Sequence, residues 1–210
     1  MSNFHHHLPI PLHPAAGSLH DGAVGRRADG SAIEFATARY IEISWARGGV
    51  ASLTVTRFVR NVEADPIDVT LTLLAPRGPV TRLIASVGER STYAASESPY
   101  ATAPVTHRTL GNGAHVVALR GLAPGEEMRV AAEILAPLSM CDGAPRLKLP
   151  TTLAGSFDSR RSGTAGSSVL VVSARCGVAL LHGCPLGDAP VTLCGDVPLE
   201  LVFLQAGEDF

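Results

Sequence analysis

Short runs of alternating apolar and polar residues recur along the chain, separated by turns that contain Gly, Pro or Asn. In the clearest run Ile67, Val69, Leu71 and Leu73 alternate with polar residues, so these four side chains share one face of an extended strand. No segment has a helical period sustained over twelve residues. The pattern predicts an all-β chain of eight to eleven short strands, arranged as an antiparallel β-sandwich. The other runs of this kind lie at 40–45, 50–58, 80–87, 114–120, 128–134, 146–149, 169–181, 190–194 and 198–205.

Three turn signals punctuate these runs. The pair Gly48-Gly49 predicts a hairpin between the first two strands, and Gly111-Asn112-Gly113 predicts another. Pro124-Gly125 combines a fixed φ with a residue that accepts positive φ, which predicts a type II turn before the strand at 128–134. A short helix is considered only near 93–98, where flanking prolines would limit its length.

The ends of the chain and one joint differ from the middle. Residues 1–35 are rich in His, Pro and Gly and have no period, which predicts a mostly irregular arm. The sandwich is predicted to span 36–155, followed by a Gly/Ser-rich linker at 156–168. Additional strands are predicted within 169–210, either packing on the sandwich or leading to a further domain.

Composition narrows the class of protein. The 210 residues are 46 % hydrophobic, enough for a sizeable core. A formal net charge of −2 provides no basic field for nucleic acid. No apolar run approaches the roughly 20 residues of a membrane span. The first residues lack a secretion signal, and the chain is expected to be cytoplasmic.

The cysteines carry no motif. Their spacing contains no close pair of the zinc-binding kind, and free thiols are expected at Cys141, Cys176, Cys184 and Cys194.

No constellation of residues indicates catalysis. The stretch 163–168 lacks the Gly-x-Ser-x-Gly spacing of a nucleophile elbow, and 111–113 lacks the Gly-Lys-Ser/Thr end of a phosphate-binding loop. Glu126 and Glu127 are adjacent, so a strand would direct them to opposite faces. We therefore expect a protein that is not an enzyme and has neither catalytic residues nor a cofactor.

Histidines are concentrated near the start of the chain. His5, His6 and His7 are followed by His13 and His20, and neutral imidazoles bind Zn²⁺, Ni²⁺ or Cu²⁺. His5, His6 and His7 are the candidate metal ligands. A polar tail without metal is the alternative.

Four segments occur in an order that resembles a known family. They are IEISWARGGVASLTVTRFVRNVEADPIDVTLTL, GPVTRLIASVGER, LRGLAPGEEMRVAAEILAPL and RLKLPTT, and together they cover about 36–155. This order resembles the VIT domain, the vault protein and inter-alpha-trypsin inhibitor heavy-chain module. The chain departs from the family after Gly88-Glu89-Arg90, where the usual charged helical stretch is shorter and nearly uncharged.

The resemblance implies a β-sandwich that usually precedes a von Willebrand factor A domain. The Asp-x-Ser-x-Ser motif of that domain does not occur in this sequence, so its Mg²⁺ site is not carried over. A non-catalytic interaction or assembly module is the predicted function. Its partner would be a second copy or another protein, and the resemblance implies a protein with a von Willebrand factor A domain.

The contact surface is predicted at the apolar C-terminal strand, at Leu199, Leu201 and Phe203. The same residues could instead form a core strand. The alternative function is an accessory protein that binds a small ligand or a divalent metal through the N-terminal histidines, and a hydrolase on a β scaffold is a third class.

Overall fold

The structure is a computed structural model that describes residues 22–35, 38–46, 48–74, 78–88, 90–93, 95–96, 105–110, 114–149, 168–193 and 199–205. Within these ranges the chain forms eighteen β-strands and no helix. The strands are β1 (Gly22–Arg26), β2 (Ala32–Phe35), β3 (Ala38–Trp45), β4 (Val50–Arg60), β5 (Ile67–Leu74), β6 (Val80–Val87), β7 (Arg90–Tyr93), β8 (Ala95–Ser96), β9 (Val105–Thr109), β10 (Ala114–Leu122), β11 (Glu127–Pro137), β12 (Ser139–Cys141), β13 (Ala144–Leu149), β14 (Ser168–Ala174), β15 (Gly177–Leu181), β16 (Cys184–Leu186), β17 (Val191–Leu193) and β18 (Leu199–Gln205).

The strands form three sheets. Sheet A has the order β2-β1-β5-β10-β9-β8, sheet B the order β17-β14-β3-β4-β11-β6-β7, and sheet C the order β12-β13-β18-β15-β16. Neighbouring strands are antiparallel except in the pairs β3·β14 and β8·β9, which are parallel. The all-β prediction is confirmed, but the described residues form three sheets, two of which are mixed.

Two long strands run through the centre of sheet B. β4 and β11 each have eleven residues, and they pair without a register shift from Val50 opposite Pro137 to Arg60 opposite Glu127. Because side chains alternate along a strand, every second residue of each lies on the same face. We call this face, which carries the buried residues, the inner face of sheet B, and the opposite side its outer face.

Two hydrophobic cores lie on this inner face. The AB core lies between sheets A and B, and the BC core between sheets B and C. Val59 on β4 belongs to the AB core and Val55 to the BC core, so sheets A and C pack side by side on one face of sheet B. The largest buried members are Ile67, Leu71, Leu122 and Met128 in the AB core and Ile41, Ile43, Trp45, Leu53, Leu149 and Phe203 in the BC core.

Part of the segment 1–35, which was predicted to be irregular, forms strands, namely β1 and β2. β1 and β2 pair with each other, and β1 also pairs with β5, which adds both strands to sheet A. Ala23 and Phe35 are buried there. A Cβ at Gly25 would overlap the ring of Phe35, so glycine permits the close approach that a search for apolar periods misses. Residues 1–21 lie outside the described residues.

The strands predicted within 169–210 are part of the sheets themselves. β14 lies parallel to β3, with Leu170 opposite Ile41, and β18 pairs with β13. The described strands of this segment therefore belong to sheets B and C. The predicted linker at 156–168 lies outside the described residues except for Ser168, which begins β14.

The turn predictions have mixed outcomes. The hairpin at Gly48-Gly49 is confirmed, with antiparallel β3 and β4 on either side and a φ of 86° at Gly48. β9 and β10 are antiparallel across 111–113, but those three residues are not among those described. The helix considered near 93–98 is not supported, because the described residues of that stretch belong to β7 and β8.

Candidate functional site

The predicted contact residues on β18 are core residues. Leu199 is 5 % exposed, and Leu201 and Phe203 are fully buried in the BC core. The Phe203 ring lies 5.0 Å from that of Trp45, measured between centroids. β18 is also flanked on both sides, by β13 and β15. In this structure these side chains pack between sheets B and C, which leaves them little surface for the predicted partner contact.

The outer face of sheet B offers a different candidate surface. No described strand lies over this face, because sheets A and C both pack on the inner face. At one end Val50 is paired with Pro137, and Leu135 lies opposite Ser52. Val50 is 50 % exposed and Leu135 is 44 % exposed, and Pro137 is also exposed. Val50, Leu135 and Pro137 are the apolar patch.

Hydrogen bonds fix the backbone around the apolar patch. The Trp45 Nε1 donates to the Gly48 carbonyl at 3.1 Å, which fixes the hairpin from which Val50 begins β4. The Leu138 amide donates to the Gly49 carbonyl at 2.7 Å, and the Leu135 amide donates to the Pro79 carbonyl at 3.2 Å. The patch is therefore presented by hydrogen-bonded strands and turns.

A charged pair borders the apolar patch. Arg82 Nη1 on β6 lies 3.4 Å from Glu133 Oε1 on β11, and both side chains are more than two-fifths exposed. Glu133 is two residues from Leu135 on the same face of β11. Apolar side chains with a polar border are typical of protein contact surfaces.

Two buried arginines lie on the inner face of sheet B. Arg57 is 1 % exposed and Arg39, its cross-strand neighbour, is 6 % exposed. Arg57 lies between Val55 of the BC core and Val59 of the AB core, so it marks the boundary between the two cores. Burial lowers the pKa of Arg39 to about 10, because desolvation disfavours the charged form. We call Arg39 and Arg57 the arginine pair.

Some atoms of the arginine pair are buried without a hydrogen bond, namely Arg39 Nη1 and the Nε and Nη1 of Arg57. Both side chains have other interaction partners. The arrangement places positive charge at the boundary of two apolar cores, which is costly unless it is compensated. The burial of Arg57 could have been predicted from the sequence, because Arg57 occupies a position of β4 at which the alternation places a buried, normally apolar, residue.

Two histidines lie next to each other on the face of sheet A that packs against sheet B. His107 Nε2 on β9 lies 3.0 Å from His115 Nδ1 on β10. Their rings are within 12° of parallel, with centroids 5.2 Å apart. The Thr109 hydroxyl lies 3.3 Å from the same His115 nitrogen. Burial lowers the pKa of His115. The contact between His107 and His115 was not predicted, because the sequence shows them only as two isolated histidines eight positions apart.

Asn61 is a buried polar residue with a structural role. Its Nδ2 donates to the carbonyls of Asp65 at 3.0 Å and Leu122 at 2.8 Å. Its Oδ1 accepts from the Glu63 amide at 2.9 Å. All of these bonds are internal, so Asn61 ties the connection before β5 to the end of β10.

The turn at Pro124-Gly125 is attached to the same residue. The Gly125 amide donates to the Asn61 carbonyl at 2.9 Å, and the Asn61 amide donates to the Glu126 carbonyl at 2.9 Å. Glu126 Oε2 accepts from the Ala123 amide at 3.1 Å, and Gly125 has a φ of 75°. The turn is a structural corner between β10 and β11.

The remaining candidates are dispersed. Among the described residues no three His, Cys, Asp or Glu side chains are grouped closely enough to hold a metal ion. Cys141, Cys176 and Cys184 are exposed free thiols, as predicted, while Cys194 and the candidate ligands His5, His6 and His7 lie outside the described residues. No helix in the described part is long and apolar enough to cross a membrane.

Comparisons with known proteins give only remote similarities. No family model matches the chain, and no curated protein matches it in sequence. Among solved structures, the chain is similar to three structures of an M1 zinc metallopeptidase from Deinococcus radiodurans. For a mutant bound to a Tyr-Ser-Ala substrate, the sequence identity is 14 % and the TM-score is 0.36. For the same mutant without that substrate, the identity is 16 % and the TM-score is 0.39. For the enzyme without the mutation, the identity is 14 % and the TM-score is 0.34.

The match is also partial in length. It covers 87 % of this chain but only 42 % of the peptidase chains. At these identities and TM-scores the likeness carries no argument about catalysis.

Proposed function

We propose that this chain is a non-catalytic protein-interaction module that binds another folded protein through the apolar patch on the outer face of sheet B. The observation that carries this proposal is the exposure of Val50, Leu135 and Pro137 side by side, on strands whose inner faces are fully packed. Single exposed apolar residues are ordinary, whereas neighbouring ones on a rigid surface are characteristic of contact sites.

The shape and border of the patch favour a folded partner. β4 and β11 present the patch on a sheet, so its residues are already ordered before binding and little conformational entropy is lost. The neighbouring pair Arg82 and Glu133 would form part of a polar rim. The four segments that resemble a VIT domain support an interaction or assembly role independently of the patch, and a partner containing a von Willebrand factor A domain belongs to that proposal.

The test is the substitution Leu135→Glu, which places a charge at the patch. Because Leu135 is partly exposed, we expect stability to change by less than about 0.5 kcal/mol. Binding should weaken at least about tenfold, because an unpaired charge would be buried in the contact. Tagged wild-type and variant chains would be expressed in the native cells, cross-linked, and compared by quantitative mass spectrometry, with light scattering to detect self-association.

Val62→Glu is the matched control. Val62 is 79 % exposed and lies in the connection between β4 and β5, away from the patch. The proposal requires that the same co-purifying protein, or the same self-associated species, be retained by Val62→Glu and lost by Leu135→Glu. Equal recovery with both variants, or a strict monomer that captures nothing, would refute it.

A further inference from the structure

We propose that two copies of this chain pack together through the outer face of sheet C, around a two-fold axis that crosses its strands. The outer face of sheet C is the side that points away from the BC core. This contact is separate from the apolar patch on sheet B, and its partner is a second copy of the same chain.

The middle of this face is aliphatic. On β15 and β18, residues that alternate with members of the BC core point outward. The register places Val178 opposite Leu204 and Leu180 opposite Val202, so the four side chains form two adjacent rows. Val178 is 38 % exposed and the other three are partly exposed. These four residues are the aliphatic rows, and neighbouring apolar side chains of this kind are typical of contact surfaces.

A chain of four charges borders the aliphatic rows. Arg146 Nη2 lies 3.2 Å from Asp142 Oδ2, and Arg146 Nη1 lies 3.3 Å from Glu200 Oε1. Lys148 Nζ lies 3.6 Å from the same Glu200 oxygen. Negative and positive side chains therefore alternate along the border. The border adjoins the rows directly, because Arg146 lies opposite Val202.

The two end charges of this border are its most exposed members. The Asp142 side chain is 85 % exposed and that of Lys148 is 66 % exposed. Both lie on the outer side of sheet C, since Asp142 is paired with Arg146 and Lys148 stands two residues after Arg146 on β13. Pro145 is equally far from Asp142 and Lys148 in sequence, so the two opposite charges are placed symmetrically about it.

The same line of symmetry passes through the aliphatic rows. It crosses β18 at Phe203 and β15 at Ala179, which lie opposite each other in the register between the two rows. Rotation by half a turn about this line lays each strand antiparallel over its own copy. It brings Asp142 of one copy opposite Lys148 of the second copy, and each aliphatic row opposite the other row. The face is therefore complementary to itself in both charge and apolar character.

This self-complementarity favours a second copy as the partner. In a two-fold contact every pair of residues occurs twice, so the surface must match itself. Sheets that pack face to face keep their strands within about 30° of each other, so positions near the axis stay in register. Sheet C has five strands and is about 20 Å across at a spacing of about 4.8 Å. Because small interfaces form weak complexes, we expect a dimer that dissociates on dilution.

The first test is Val178→Glu, with the dissociation constant measured by sedimentation over a series of concentrations. The substitution buries an unpaired charge at two places in the dimer, so we expect the constant to rise at least about tenfold. Val24→Glu is the matched control, because Val24 is a 45 % exposed valine on the outer side of sheet A. It should leave the constant unchanged, and so should Leu135→Glu in the apolar patch.

Three results of this first test would overturn the proposal. They are a wild type that stays monomeric at every concentration, equal weakening by Val178→Glu and Val24→Glu, and loss of the dimer in Leu135→Glu. The last result would assign self-association to the apolar patch, so the two proposals fail in distinguishable ways.

The second test uses charge reversal to examine the axis. Lys148→Glu places two carboxylates opposite each other at both ends of the contact, and Asp142→Lys places two ammonium groups there. Each variant alone should associate about threefold to tenfold more weakly, because exposed ion pairs are individually weak. An equal mixture restores opposite charges at both ends, so heterodimers should form with nearly the wild-type constant. A mixture that associates no better than its components contradicts the two-fold arrangement.

A third variant covers a failure of Asp142→Lys to fold, since Asp142 has a φ of 52°, which lysine disfavours. Asparagine accepts this conformation, so Asp142→Asn would be added to Lys148→Glu in one chain. It removes the repulsion between carboxylates, and we expect part of the lost association to return. If none returns, Asp142 and Lys148 do not face each other and the proposed axis is wrong.

Discussion

The AB and BC cores lie on the same face of sheet B and share β4 and β11, yet they differ in the polar groups at their margins. The BC core is apolar throughout, with Trp45 and Phe203 in contact at its centre. At the margins of the AB core lie Asn61 and the histidine pair, and Arg57 marks its boundary with the BC core. Sheet B is therefore covered by one region stabilised almost only by packing and another that also depends on internal hydrogen bonds.

The two cores also differ in the sequence separation of the strands that form them. The AB core joins sheet B to strands that lie between β1 and β10 in sequence. The BC core joins β3 and β4 to β18, across more than 140 residues of sequence. Because β4 and β11 run through both cores, we expect the cores to unfold together. The following substitutions test this expectation, from the largest effect to the smallest.

Trp45→Ala should have the largest effect. Removing a fully buried indole leaves a cavity, and comparable substitutions cost about 3–5 kcal/mol. If β4 and β11 couple the cores, hydrogen exchange should quicken in β5 and β10 as well as in β13 and β18. Trp45→Phe keeps an aromatic ring near Phe203 and should cost less. Faster exchange confined to sheet C would show that the cores are separate folding units.

Asn61→Ala tests the polar side of the comparison. The substitution leaves the Leu122 and Asp65 carbonyls and the Glu63 amide without their partner, and we expect a loss of about 2–4 kcal/mol in urea unfolding. Asn61→Asp keeps the size of the side chain but turns a carboxylate oxygen toward the two carbonyls. An equal or larger loss for the aspartate would assign the effect to hydrogen bonding. A negligible loss for either variant would contradict the role given to Asn61.

Gly177→Ala should have a smaller effect, confined in origin to sheet C. A Cβ at Gly177 would overlap the backbone carbonyl of Leu204 on β18, and such overpacking costs about 1–3 kcal/mol. Gly187→Ala is the matched control, because a Cβ there meets no atom within 4 Å. In thermal unfolding we expect a lower midpoint temperature for Gly177→Ala than for the wild type. For Gly187→Ala we expect the free energy of unfolding to stay within about 0.5 kcal/mol of the wild-type value. Equal midpoints would show that β15 and β18 can move apart without cost.

Much of the fold followed from alternation in the sequence. The run at 80–87 gives β6 with the same bounds, and the run containing Ile67 and Leu73 gives β5. β1 and β2 were missed because their buried faces are short and depend on Gly25 fitting beneath Phe35. β12 and β16, with three residues each, have too few positions to show a period.

The candidate sites were much harder to predict. Leu199, Leu201 and Phe203 have the composition of either a contact or a core, and only the neighbours β13 and β15 distinguish the two. The histidine pair depends on the register between β9 and β10, which brings together residues that are separated by eight positions in sequence. The apolar patch likewise depends on Val50 lying opposite Pro137.

The sequence by itself determined that this chain is a β protein, where most of its longer strands lie and which side chains of a strand share one face, because side-chain alternation is a local property of the backbone. It also determined the turns at Gly48-Gly49 and Pro124-Gly125, through the φ values that glycine and proline accept. Only the tertiary structure decided that sheets A and C cover the same face of sheet B. That choice depends on strand pairings between distant segments, and it leaves the apolar patch exposed, whereas the register of β10 against β9 brings the two histidines together.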